Sequence, residues 1–185
     1  MKKTIYTVFI CALLIVSCAK DKTTNPFLIQ KHNIGLLTDS TTVKQLDSVF
    51  KNDSLVRYIS GDEFAGAVNS IEVFEKGGKK LLDISPREEL DSTSIISSVR
   101  IIDDRYFTDK NISTLSTFKD ISEAYNISKI DNLINSVLIS VNEINATFAI
   151  DKKELPSGLR FNMDMQIDPL QIPGKAKIKF FTVHW

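Results

Sequence analysis

An internal repeat limits this chain's possible folds more than any other feature. Thr41-Thr42-Val43-Lys44-Gln45-Leu46-Asp47-Ser48-Val49-Phe50 and Ser116-Thr117-Phe118-Lys119-Asp120-Ile121-Ser122-Glu123-Ala124-Tyr125 align at an offset of 75 residues, with every apolar position matched. In each copy a threonine, Thr42 or Thr117, stands where a helix N-cap belongs. Gln45 or Asp120 follows three residues later, in the manner of a capping box. Apolar residues then recur at Val43, Leu46, Val49 and Phe50, and at Phe118, Ile121, Ala124 and Tyr125. That spacing predicts two short amphipathic helices, each with one stripe to bury.

Strand-like sequence follows each helix. Ile71 to Glu75 and Lys79 to Ile84 flank Gly77-Gly78, which reads as a hairpin because two glycines accept the positive φ of a tight primed turn. The counterpart is Val137 to Val141, a turn through Asn142 to Asn145, and Thr147 to Ile150. A third strand closes each unit, Ile95 to Ile102 in the first and Ala176 to Trp185 in the second, the latter largely alternating as a half-buried antiparallel strand does. Phe161 to Asp168 also alternates strictly and reads as a strand, with Phe161, Met163, Met165 and Ile167 on its core face. The predicted class is α+β: two pseudo-repeats, residues 34–107 and 108–185, each a short amphipathic helix followed by antiparallel strands, with the helices packed on a sheet.

The N-terminus carries a different signal. Met1-Lys2-Lys3-Thr4 precedes an apolar run from Ile5 to Val16 broken only by Thr7, and Ser17-Cys18 ends it. A positive stretch, an apolar stretch and a small residue form the pattern of a secretion signal over residues 1–17. The apolar run is too short for a membrane span, which takes roughly 20 helical residues. Ile15-Val16-Ser17-Cys18 resembles the lipobox of bacterial lipoproteins, and the resemblance implies that Cys18 is acylated and becomes the first residue of the processed chain. Acyl chains hold a protein at a membrane surface, each buried CH₂ contributing about 0.8 kcal/mol. Ala19 after the cysteine resembles the outer-membrane sorting choice of lipoproteins in double-membraned bacteria; the resemblance leaves the leaflet open. Residues 18–31, polar at first and interrupted by Pro26, read as the lipidated cysteine and a flexible tether. Residues 32–185 read as one globular domain.

The family resemblance extends into that domain. Gly35 to Thr41 before the first helix, Phe74-Glu75-Lys76-Gly77 in the hairpin, Ile96 to Asp103 in the third strand and Thr108 to Ile112 leading into Ser116 to Ile121 resemble the sigma-E-regulated lipoproteins of Gram-negative envelopes. Trp185 in a closing aromatic strand fits the same pattern. The resemblance implies an envelope lipoprotein with a domain of unassigned function. In the second loop this chain has Asn111 and Ser113 where glycines are expected. The tandem helix-plus-sheet arrangement is also similar to that of periplasmic β-lactamase-inhibitor proteins and small outer-membrane assembly lipoproteins.

Motifs for chemistry are scarce. The formal charge is zero, and losing Met1 to Ser17 removes Lys2 and Lys3 but no acid, which leaves a slight acidic excess. That balance offers no electrostatic footprint for nucleic acid. No cysteine follows Cys18, so stability rests on core burial without disulfides. The two histidines, His32 and His184, cannot make a zinc site of three or four ligands on their own, and they stand in no H-E-x-x-H pattern. Neither a G-x-S-x-G elbow nor a P-loop is present. Asp62-Glu63 and Asp103-Asp104 are candidate acid/base pairs but read more simply as solvated turns. Asn162, Asp164, Gln166 and Asp168 share one strand face without the loop geometry of a calcium site.

The sequence thus points to a protein that is not an enzyme and needs no cofactor or metal. It is expected to be anchored at Cys18 to the outer membrane and to bind an envelope protein or glycan. An inhibitor of a hydrolase, of lysozyme or β-lactamase type, is the alternative; outer-membrane assembly accessory is another. The inhibitor reading expects exposed aromatic anchors, for which Trp185, Phe181, Tyr106 and Phe107 are the candidates.

Overall fold

The computed structural model describes residues 25–57, 70–88, 91–162 and 165–185. Among the described residues twelve strands form two sheets, and the helices are few and short. The fold is therefore α+β and dominated by strands. A small four-stranded sheet contains β1 (Leu28–Gln30), β2 (Asn33–Ile34), β3 (Leu37–Thr38) and β8 (Phe107–Thr108) in the order β3-β2-β1-β8. The large sheet has eight strands: β4 (Ser54–Arg57), β5 (Ile71–Phe74), β6 (Lys80–Pro86), β7 (Ile96–Ile101), β9 (Lys129–Asn132), β10 (Ser136–Val141), β11 (Ala146–Asp151) and β12 (Ile178–His184). Their spatial order is β4-β5-β6-β7-β12-β11-β10-β9. Two four-stranded antiparallel meanders therefore meet where β7 pairs with β12.

The repeat is visible in the backbone. A 3-10 turn at Val43–Gln45 runs into α1 (Leu46–Val49), and α2 spans Phe118–Ala124. Val43 N donates to Ser94 O and Lys44 N to Ser92 O; in the second unit Phe118 N donates to Ala176 O and Lys119 N to Gly174 O. Thr38 N donates to Thr41 Oγ1, and Ser113 N to Ser116 Oγ, again 75 residues apart. Both capping boxes form: Gln45 Oε1 accepts from Thr42 N at 2.8 Å, and Asp120 Oδ2 accepts from Thr117 N at 2.7 Å. Leu46, Phe118, Ile121 and Tyr125 are buried in the core, with Val43, Val49, Phe50 and Ala124 packed against it.

Cross-strand register then sorts the sheet into faces. Residues paired directly across neighbouring strands lie on one face, and the row Leu55, Val73, Leu82, Ile101, Phe181, Phe148, Ile139 and Ile130 crosses all eight strands as core. Phe148 and Phe181 sit side by side in it, ring centroids 4.5 Å apart.

Four expectations change. The tether is shorter than residues 18–31, because Phe27 packs on the core, Ile29 is buried, and β1 pairs in parallel with β8. Phe161, Asn162 and Met165 to Asp168 are not strand, and Met163 and Asp164 lie outside the described residues. β12 pairs directly with β11, so no strand comes between them, and Asp168 instead caps the 3-10 turn Pro169–Gln171. Ile167 still reaches the core, whereas Phe161 is 86% exposed. Lastly, each unit has a fourth strand, β4 or β9, at the sheet edge. Asn111 supplies the missing glycine's geometry, with φ at 60°. Gly77 and Gly78 carry the positive φ values that the hairpin requires.

Candidate functional site

Cys18 lies outside the described residues, as do Asp62 and Glu63. The four candidate anchors do not make an exposed aromatic surface. Phe181 and Tyr106 are buried core residues, and Phe107 and Trp185 are half-buried. The alternation of β12 turns Phe181 inward, and Tyr106 packs edge-on against Phe27 with centroids 5.1 Å apart. Trp185 is a tie between distant parts of the chain. Its Nε1 donates to Lys31 O at 2.9 Å and its backbone N to Ser97 O at 2.8 Å.

The histidines and acids have local partners. His32 pairs with Asp39 at 2.7 Å, and His184 Nε2 is 2.9 Å from Thr147 Oγ1. Asp103 is buried, yet its carboxylate accepts from Arg105 Nε, Arg105 NH2 and the Arg105 backbone N at 2.8 to 3.0 Å, and Lys79 Nζ lies 3.0 Å away. Arg105 extends the network by a two-pronged contact with Glu75. The Arg105 guanidinium holds the Asp103 carboxyl well below the ordinary carboxylate range. An acid so firmly ionised, with its lone pairs occupied, has no proton to give near neutrality. The network fastens the loop after β7 to the β5–β6 hairpin. Among the described residues no three His, Cys, Asp or Glu side chains converge as metal ligands would.

The sheet face opposite the core is polar. Val56, Glu72, Asp83, Arg100, Thr182, Thr147, Ser140 and Lys129 form its central row. Lys80 Nζ bridges Glu72 and Asp83, and the Arg100 guanidinium stacks 4.8 Å above the Phe180 ring. The hollow there is small, about 220 Å³, and lined by Ser70, Asp83, Ser85, Ser98, Arg100 and Thr182.

A different arrangement lies where β11 ends. Asp151 caps the 3-10 turn Lys152–Glu154 by accepting from Lys153 N at 3.0 Å, and α3 (Ser157–Arg160) follows Pro156. The turn between β9 and β10 brings Ile134 and Asn135 alongside, with Asn135 O accepting from Lys152 N. Together these segments enclose a cleft of about 480 Å³ lined by Ile134, Asn135, Asp151, Lys152, Lys153, Arg160 and Phe161. Three of these seven are cations. Lys152 is only 4% exposed, and its Nζ has no hydrogen-bond partner among the described residues. Arg160 uses Nε on Leu155 O at 2.7 Å. The single acid, Asp151, is held by Lys179 at 2.9 Å. Ile134 and Phe161 are exposed at the rim, 68% and 86%. Sequence reasoning missed this site. Lys152-Lys153 after a strand looks like an ordinary solvated turn, and nothing in the local pattern shows that the first lysine is enclosed.

No family model and no curated protein matches the chain. The fold is similar to that in the crystal structure of the uncharacterized protein yfeY from Escherichia coli. The likeness has a TM-score of 0.55 at 16% identity and covers 85% of this chain and 99% of that one. At that identity the likeness concerns architecture. It shows that two tandem strand-rich units of this kind form a fold found in a solved structure.

Proposed function

We propose that this protein is an envelope lipoprotein, acylated at Cys18, whose sheet-rich domain is a non-catalytic binding module. The observation that carries the reading is Ile15-Val16-Ser17-Cys18 at the end of an apolar run too short to span a bilayer. The resemblance of the globular part to sigma-E-regulated envelope lipoproteins supports it, as does the occupation of Asp103 by an arginine and a lysine. In this reading the two short helices lie on the core face of the sheet and leave the polar face and the Lys152 cleft for partners. The hydrolase-inhibitor alternative keeps only the half-buried Phe107 and Trp185 of its four anchors, because Phe181 and Tyr106 are core.

The test is expression in a Gram-negative host fed a labelled fatty acid, followed by membrane fractionation and crosslinking in intact envelopes. The parent chain is expected to carry label and sediment with the outer membrane. The Cys18→Ser chain is expected to remain unlabelled and to change fraction. Equal labelling of both chains would overturn the anchor, and crosslinking to no envelope component would overturn the binding role.

A further inference from the structure

We infer that the cleft around Lys152 is a binding site for an anionic amphiphile, a molecule with a phosphate-type headgroup and an apolar tail. The argument begins with the enclosed ammonium. A buried cation loses its hydration and is ordinarily kept only with a counter-charge, yet Lys152 Nζ has none among the described residues. Its surroundings add positive charge. Lys153 and Arg160 line the same cleft, and Asp151 is already engaged by Lys179 and by the Lys153 backbone. An anion entering here would meet Lys153 and a guanidinium whose Nε is fixed on Leu155 O, and the enclosed Lys152 ammonium adds its charge to the lining. Hydrogen bonds between charged partners in such surroundings are the strong ones.

The rim supplies the second half of the specificity. Ile134 and Phe161 project beside the cations at high exposure, and a headgroup alone would leave them in water. An alkyl or acyl tail would cover them, at a gain of about 25 cal/mol per Å² of apolar area. At about 480 Å³ the cleft falls within the range of small-molecule sites, about 300–1,000 Å³. This inference deepens the reading of the domain as a binding module and rests on it. It does not depend on Cys18, so the anchor and the site can fail separately.

The test uses the full chain in a non-ionic detergent, titrated calorimetrically with dihexanoyl phosphatidylglycerol, dihexanoyl phosphatidylcholine and inorganic phosphate. The first probe is expected to bind once per chain, at least tenfold tighter than either of the others. Lys152→Met is expected to abolish that binding and, because it removes an uncompensated buried charge, to raise the melting temperature of the free protein. Arg160→Gln is expected to weaken binding about tenfold without unfolding the chain. Unchanged affinity in Lys152→Met would overturn the site. Equal affinity for the two lipids would overturn the role of charge, and inorganic phosphate binding as tightly as the lipid would overturn the role of the tail.

Discussion

Phe181→Ala is the substitution that most directly probes the seam between the two units. Phe181 is fully buried, pairs with Ile101 across β7 and Phe148 across β11, and packs its ring against that of Phe148. An aromatic side chain buries about 150–250 Å², and at about 25 cal/mol per Å² its loss amounts to roughly 4–6 kcal/mol. Measured Phe→Ala changes in cores cost about 3–5 kcal/mol. A loss near 4 kcal/mol lowers the melting temperature by roughly 8–16 °C in a chain of this size. Far-UV circular dichroism during heating and urea unfolding reads it. Phe161→Ala is the internal control, because that ring is 86% exposed and surface changes fall within about 0.5 kcal/mol. A Phe181→Ala loss below about 1 kcal/mol, or one matched by Phe161→Ala, would refute the assigned core and return Phe181 to the surface.

Three further outcomes follow from local geometry. Asp103→Asn is expected to cost about 1.5–3 kcal/mol at neutral pH, since it weakens charge-assisted bonds to Arg105 and Lys79. Because the folded state lowers the Asp103 pKa, its contribution is complete above the unfolded value near 4 and fades as pH falls below it. Urea midpoints measured between about pH 6 and pH 3 should therefore fall more steeply for the parent than for Asp103→Asn. The two capping boxes differ in the same test. Asp120→Ala and Gln45→Ala should each cost about 0.5–1 kcal/mol at neutral pH, but the cost of Asp120→Ala should shrink on acidification. Asp120 is held ionised by the Thr117 backbone N–H, whereas Gln45 carries no proton to gain. Gly35→Ala should destabilise by more than about 1 kcal/mol, because φ is +56° and a Cβ there would lie 2.2 Å from Pro26 O; an unchanged melting temperature would contradict that turn.

The repeat was legible because it involves local signals that survive in isolation. Thr42 with Gln45 and Thr117 with Asp120 start helices by chemistry within four residues, and Gly77-Gly78 marks its own turn. The edge strands were not legible. Ser54–Arg57 and Lys129–Asn132 are short and contain no fully buried residue, and they are strands because β5 and β10 offer them a ladder. Phe161 to Asp168 shows the converse, since its described residues are not strand despite their alternation, and of these Ile167 is buried and Met165 packs against the core while Phe161 stays exposed. The site was hidden for a related reason. The Lys152 cleft is lined by Ile134 and Asn135 from the β9–β10 turn as well as by Arg160, and the first two lie outside any motif around Lys152.

The pairing of β7 with β12 has a consequence for how the molecule is made. Ile101 meets Phe181 only after nearly the whole second unit has been produced, and such distant pairings form slowly. Until then the ladder of β7 is an unpaired margin of the kind that recruits neighbouring chains into aggregates. The nascent half-molecule carries its own deterrent there. Ser97, Ser98 and Arg100 interrupt the apolar run of β7, so the surface that later closes the sheet is also the one that discourages premature pairing between copies.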